Sequence, residues 1–112
     1  MRIIAYERRY AKQVAELLNN YLPFQEENEQ TINEAGGVQL LAVEDGEVIG
    51  YIAGYAMKDV SEEFPYFEEE LKPLLTVIRG GTSYYTSHLV VHPKSRGKGV
   101  GQQLVTRYME TV

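Results

Sequence analysis

At 112 residues, with 44% hydrophobic and 24% charged side chains, the chain reads as one globular domain, 1–112, long enough to bury a core without covalent staples. The absence of cysteine excludes disulfides, thiolate metal sites and cysteine nucleophiles, and no metal site is predicted. A net charge of -5 argues against a general nucleic-acid binder.

Residues 2–6, RIIAY, are apolar and β-branched, the signature of a first strand. From about residue 8 the period lengthens, and Tyr10, Val14, Leu17, Leu18, Tyr21 and Leu22 fall at helical spacing. Pro23 closes that helix, because proline disfavours helical geometry at the residue before it. FQEENEQTINEAGG, 24–37, carries a second, shorter helix stopped by Gly36 and Gly37. In residues 38–57 two β-rich runs flank Asp45-Gly46, a pair that tolerates the positive φ angles of a tight hairpin turn. Gly50 and Gly54 interrupt the second run, which predicts a bulge or a close neighbour.

Residues 58–81 break the pattern. They are acidic, contain Pro65 and Pro73, and predict a long connection with a short helix around 66–75. TSYYTSHLVVH, 82–92, resumes as a strand, and 99–112 form a helix with Val100, Leu104, Val105 and Tyr108 on one face. The order strand, helix, helix, strand, strand, strand, helix implies an α/β (α+β) fold, a mixed, mostly antiparallel sheet with flanking helices. The first residues lack the apolar core of a signal peptide, and the most apolar stretch, VIGYIAGYAM (48–57), is too short to span a bilayer. A cytoplasmic location without membrane contact is therefore expected.

Charge is distributed unevenly. Every acid except Glu110 lies before residue 93, whereas 94–107 hold Lys94, Arg96, Lys98 and Arg107 with no acid among them. This reversal marks a place for an anion. It coincides with Gly97, Gly99 and Gly101, between a strand and a helix. Glycines let a backbone approach a phosphate closely, and a helix start offers unpaired N–H groups and a partial positive charge. Two known phosphate fingerprints fail on spacing. A Walker A loop needs Ser or Thr after its Gly-Lys pair, but Gly97-Lys98 is followed by Gly99. A dinucleotide fingerprint needs a glycine where Gln102 stands. A glycine-rich turn that merely caps a helix is the simpler alternative.

The run Arg96-Gly97-Lys98-Gly99-Val100-Gly101, preceded by Leu89-Val90-Val91-His92-Pro93, resembles the acetyl-coenzyme A-binding motif of the GNAT-type N-acetyltransferase superfamily. The order of elements resembles that family over nearly the whole chain. The resemblance implies acetyl-CoA as cosubstrate and transfer of its acetyl group to a primary amine of a small molecule or protein. It implies that Arg96, Gly97, Lys98, Gly99, Val100, Gly101 and Gln102 hold the pyrophosphate, mostly through backbone N–H groups. Val91 would pair with the pantetheine arm through its backbone, and the N–H of Leu89 would act as oxyanion donor to the acetyl carbonyl. Members of the family usually continue with a further strand, a helix and two more strands. The resemblance therefore covers the N-terminal portion only, a GNAT-like fold lacking its C-terminal strands. Strand 82–91 would then be an open sheet edge, and such edges recruit partners, so a homodimer through this fourth strand, or binding to a separate chain that supplies the rest, is expected. A non-catalytic CoA-binding or dimerising module is the competing reading of the whole chain.

The base is less defined. His88, on the strand before the loop, titrates in the range a base needs, but a partly buried structural histidine is the competing reading. Tyr85 matches a position where some family members carry a catalytic glutamate, yet tyrosine titrates near pH 10 and cannot simply replace it. Tyr84 and Tyr85 read as packing residues. Two acidic stretches, Glu26, Glu27, Glu29 and Glu34, then Asp59 to Glu70, match regions that commonly border the acceptor site in this family, so the resemblance implies a cationic amine acceptor; a solvated acidic face is the competing reading. The nearby aromatics Tyr21, Phe24, Phe64, Tyr66 and Phe67 fit a pocket wall or core packing equally well.

Overall fold

A computed structural model describes residues 1–23, 25–56, 76–79 and 82–112. One sheet runs β1 (Arg2–Ala5), β2 (Val38–Glu44), β3 (Glu47–Ala56), β5 (Thr82–Val91), β4 (Thr76–Arg79) in spatial order, with every neighbouring pair antiparallel. The helices are α1 (Ala11–Tyr21), α2 (Glu29–Glu34) and α3 (Val100–Thr111), with short 3-10 turns at Arg8–Tyr10 and Pro93–Ser95. None of the described helices is long and apolar enough to cross a membrane.

Local chemistry explains the boundaries. Leu22, the residue before Pro23, is extended (φ -117°, ψ 143°) and ends α1 where the sequence predicts. A reciprocal capping box between Asn28 and Thr31 starts α2, so this helix begins later than the composition of 24–37 suggests. The β2–β3 hairpin turns through Asp45 (φ 51°) and Gly46 (φ 76°), as the Asp-Gly pair predicts. Both interruptions expected of β3 are present. The register slips between Ala42 and Val43 opposite Gly50, and again between Ala53 and Gly54, where Ser87 is the extra residue of β5.

Alternation along β2 sorts the core onto two faces. Leu41 and Val43 join Val14, Leu17 and Leu18 of α1 and Ile32 of α2 on one side. Leu40 and Ala42 join Val100, Leu104 and Tyr108 of α3 on the other, a stripe at four-residue spacing along that helix. Leu104 and Tyr108 are fully buried, and each such side chain contributes about 1.5–3 kcal/mol. This packing sets α3 against the end of β5 and fixes where the glycine loop lies.

One expectation needs correction. Strand 82–91 is not an open edge along its whole length, because β4 pairs with it from Thr82 to Tyr85. Thr76–Arg79, placed by sequence in a long connection, are β-branched and apolar enough to form that strand. The helix expected around 66–75 lies outside the described residues. The outer side of β5 has no partner strand from Thr86 to Val91 among the described residues.

Candidate active site

The open part of β5 has a definite polarity. His92 donates its N–H to the Ile49 carbonyl at 2.8 Å, which makes His92 and Ile49 a hydrogen-bonded pair. Antiparallel pairing alternates, so Val91 opposite Gly50 and Leu89 opposite Ile52 are non-bonded pairs. The N–H and C=O groups of Leu89 and Val91 therefore point away from β3, toward the uncovered edge. Arg96 Nε donates to the Val91 carbonyl at 3.0 Å, consistent with this direction. Sequence reasoning set Arg96 against a phosphate; here its Nε ties the loop back to the strand.

From the end of β5 the chain makes one 3-10 turn, capped by His92, whose Nδ1 accepts the N–H of Lys94 at 3.1 Å. Gly97 and Gly99 then adopt left-handed conformations (φ 79° and 78°), which a side chain would strain. A Cβ on either would meet no atom within 4 Å, so space is open over both. Gly99 caps α3 without any side-chain hydrogen bond, and Gln103 is the first residue whose N–H is satisfied within the helix, by the Gly99 carbonyl at 3.0 Å. The N–H groups of Val100, Gly101 and Gln102 thus lack intrahelical acceptors. Such an arrangement of free N–H groups and open space is able to cradle an anion.

The remaining loop residues divide. Val100 is buried in the core and can offer only its backbone. A Cβ on Gly101 would lie at an ordinary 3.5 Å from Val91 Cγ2, so packing does not demand glycine there. Gln102 lines a groove of about 420 Å³ along α3 with Arg107. Lys98 lines another, of about 310 Å³, facing the acidic tip of the β2–β3 hairpin, Glu44, Asp45 and Glu47.

On the opposite face, next to the same stretch of β5, lies a cavity of about 260 Å³ lined by Glu27, Glu34, Tyr51, Tyr55 and His88, with apolar Leu18 and Ile32 at its back. The segment between α1 and α2 is held there. The Asn19 side chain grips the backbone of Glu27 from both sides, donating to its carbonyl and accepting its N–H, each at 2.8 Å. Thr31 Oγ1 donates to Glu27 Oε2 at 2.5 Å. Tyr51 donates its hydroxyl to Gln39 Oε1 at 2.8 Å, and burial raises the pKa of its phenol further above the ordinary value of 10.0. Tyr55 is likewise raised, by burial first and by the Glu27 carboxylate second. Both phenols stay protonated as neutral hydrogen-bonding groups.

His88 stands on this cavity wall, its ring 6.4 Å from that of Tyr51. Burial lowers its pKa below 6.5, with Glu27 opposing the shift. The ring is thus neutral near pH 7 and has a lone pair to offer. Because the folded ring binds a proton less readily than the unfolded one, the unfolded chain holds more protons below about pH 6.5. Stability should therefore be intact above that pH and decline as pH falls through the folded pKa. Urea unfolding of the chain and a His88→Gln variant between pH 8 and pH 5 checks this; the variant should lose part of the acid-side slope.

Of the other residues singled out in sequence, Tyr21 meets His92 edge to face at 5.2 Å, joining α1 to the turn before the loop. Phe24, Phe64, Tyr66, Phe67 and the acids from Asp59 to Glu70 lie outside the described residues. Gln25, Ser87, Tyr51 and Tyr55 were missed as site residues. Only the bulge glycine Gly54 hinted that the strands were irregular at this point.

Comparison with known proteins agrees with the motif. The sequence matches the acetyltransferase (GNAT) family over residues 6–112. The fold matches the protein smu.2055 of Streptococcus mutans UA159 at a TM-score of 0.66 and 21% identity, covering 100% of this chain and 66% of that one. It matches the aminoglycoside antibiotic 6'-N-acetyltransferase of Acinetobacter haemolyticus at 0.62 and 21%, covering 99% and 70%. It also matches a GNAT family acetyltransferase of Brucella melitensis, solved with acetyl-CoA, at 0.58 and 21%, covering 98% and 66%. The chain thus spans about two thirds of the length of these proteins. No curated protein matches it. With the family matched from Tyr6 to Val112, the chain belongs to the acetyltransferase (GNAT) family.

Proposed function

We propose that this chain binds acetyl-CoA across the start of α3 and the open edge of β5, and directs its acetyl group to a primary amine held in the Glu27–His88 cavity. The observation that carries the reading is the convergence of two sets of backbone donors. The unsatisfied N–H groups of residues 100–102 adjoin the outward N–H groups of Leu89 and Val91. The first set suits a diphosphate, and the second suits the amide-bearing pantetheine arm. Leu89 N–H is the donor for the carbonyl oxygen that gains charge as the amine attacks.

Acetyl-CoA supplies the activated acyl group. The chain's residues orient the two reactants and remove a proton from the acceptor ammonium, so that the amine nitrogen can form the new C–N bond as the C–S bond breaks; CoA leaves as its thiol, its sulfur taking up the second proton lost by the nitrogen. His88 is the group assigned to that proton, being neutral near pH 7 and facing the cavity. Glu27 and Glu34 favour a cationic acceptor. The aminoglycoside acetyltransferase among the structural matches acts on a substrate of that kind. Residues 86–91 offer one edge, so a dimer formed by pairing of that edge would exclude the pantetheine arm. Self-association there belongs to the form without cosubstrate.

Titration calorimetry with acetyl-CoA, followed by an acceptor screen, tests the reading. Glu27→Gln is expected to raise KM for a cationic amine roughly tenfold or more, since a charge-assisted contact is worth about 1.5–3 kcal/mol, while acetyl-CoA affinity stays constant. An unchanged KM for every cationic acceptor would remove Glu27 from the site.

A further inference from the structure

His88 sits in a hydrogen-bond chain that no function so far described requires. Its Nε2 lies 3.2 Å from Gln25 Oε1, across 63 residues of sequence, and its Nδ1 lies 3.0 Å from Ser87 Oγ. Ser87 Oγ is in turn 3.2 Å from the Ala53 carbonyl. The amide of Gln25 has its orientation assigned by a second contact, Nε2 to the Pro23 carbonyl at 3.4 Å, which leaves the oxygen for the ring. An amide oxygen only accepts, so the imidazole must donate from Nε2. In the neutral ring the lone pair is then on Nδ1.

We propose that Gln25 and Ser87 are positioning residues that fix His88 as the Nε2–H tautomer and make Nδ1 its proton-accepting atom. Serine carries a single hydroxyl hydrogen and faces two acceptors, Nδ1 and the Ala53 carbonyl. While the ring is neutral, one of them goes without it. Once Nδ1 is protonated, it donates to Ser87 Oγ, and the serine hydrogen turns to Ala53. Every group in the chain Gln25, His88, Ser87, Ala53 is then matched. The network therefore favours the imidazolium, opposing the burial that disfavours it.

Nδ1, which meets Ser87 Oγ at 3.0 Å, is then the ring atom that gains the proton, and the serine hydroxyl turns to accept from it. The bulge between Ala53 and Gly54 makes this possible, by adding Ser87 to β5 as the unpaired residue. The use made of the proton rests on the acetyl-transfer reading; the tautomer and its partners do not. Among the described residues, the titratable groups around the ring are Glu27 from the α1–α2 segment, Glu34 of α2, and Tyr51 and Tyr55 of β3. All four stay in place in the variants below.

Heteronuclear NMR of the imidazole nitrogens, in the full chain as a function of pH, tests the proposal. With His92→Asn as background, His88 is the one remaining histidine of the two in the chain. The neutral ring should show a protonated Nε2 and a bare Nδ1. Gln25→Leu, which removes the acceptor of Nε2–H, should lower the His88 pKa and admit the other tautomer. Gln25→Glu should raise it, each shift being roughly one pH unit, a tenfold change in proton affinity. Ser87→Ala should lower it and Ser87→Thr should not. A general loosening of the segment could not move the pKa in opposite directions at one position. Equal or same-sign shifts for Gln25→Leu and Gln25→Glu overturn the proposal, as does a neutral ring protonated on Nδ1. Opposite shifts carry it even where His88→Gln turns over at the normal rate, a result that would count against the acetyl-transfer role and not against the fixed tautomer.

Discussion

Gly99→Glu is expected to abolish acetyl-CoA binding while leaving the fold nearly intact. Gly99 is the N-cap of α3 in a left-handed conformation, and nothing lies within 4 Å of the place a Cβ would take. The fold loses only the backbone preference, about 1–2 kcal/mol. A negative charge at a helix N-terminus returns about 0.3–1 kcal/mol of that. The melting temperature should accordingly fall by only a few degrees, on a scale of roughly 4–8 °C per kcal/mol for a domain near this size. Binding is another matter. A carboxylate about 4 Å from a phosphate repels it by about 4 kcal/mol at an effective dielectric near 20, close to a thousandfold in Kd. Gly99→Ala, with the same backbone strain and no charge, should keep most of the affinity. Calorimetry on the pair, beside thermal melts, separates the two effects. If Gly99→Glu binds like the parent, the diphosphate is not at this loop, and the glycines serve only to cap the helix.

What could be read in the sequence was whatever neighbours along the chain decide. Asp45-Gly46 specifies a hairpin turn by itself, Pro23 ends α1 by acting on Leu22, and the period of Val100, Leu104 and Tyr108 gives one face of α3. The glycine loop belongs to the same class, because its chemistry lies within seven consecutive residues, 96–102. Even β4 had a local signal. Thr76–Arg79 and Thr82 onward are β-rich runs separated by Gly80-Gly81, a pair that favours hairpins, but the acidic, proline-bearing stretch before it made the whole segment read as connection.

The acceptor side was illegible for a physical reason. Gln25 meets His88 across 63 residues, and Glu27 is held by Asn19 and Thr31 through contacts that no periodicity encodes. A glutamate run on a helix face and a glutamate aimed into a cavity look alike in sequence. Only the hold of Asn19 on Glu27 and the bulge at Ser87 separate them, and both rest on partners that come from other elements. His88 could be named as a candidate because histidine is rare and titrates near neutrality. Whether its ring is neutral, and on which nitrogen, depends on burial and on Gln25.

Gly50→Val should destabilise the packing of α3 on the sheet, and its effect should reach the cosubstrate site. A Cβ at Gly50 would stand 2.8 Å from Leu104 Cδ1, 3.2 Å from Val100 Cγ1 and 3.4 Å from Ala42 Cβ. Valine adds two further methyl groups to that crowd. Leu104 is 0% exposed and has no room to swing aside, so the strain is relieved by lifting α3 from β3. Overpacking of this kind costs about 1–3 kcal/mol. Lifting the first turn of α3 also parts residues 100–102 from Val91, so acetyl-CoA affinity should fall although residue 50 is not assigned to the cosubstrate. Leu104→Ala alone should cost about 2–5 kcal/mol through the cavity it leaves. In the double variant the valine methyls fill that cavity, and the combined loss should be smaller than the sum by more than the few tenths of a kcal/mol expected of independent sites. Denaturant midpoints for the four proteins of this cycle, each paired with an acetyl-CoA titration, give both readouts. Partial recovery of affinity in the double variant would mean that the seat of α3 on Gly50 sets the cradle. Strict additivity, with affinity unmoved by Gly50→Val, would mean that the loop holds its shape without the helix packing behind it.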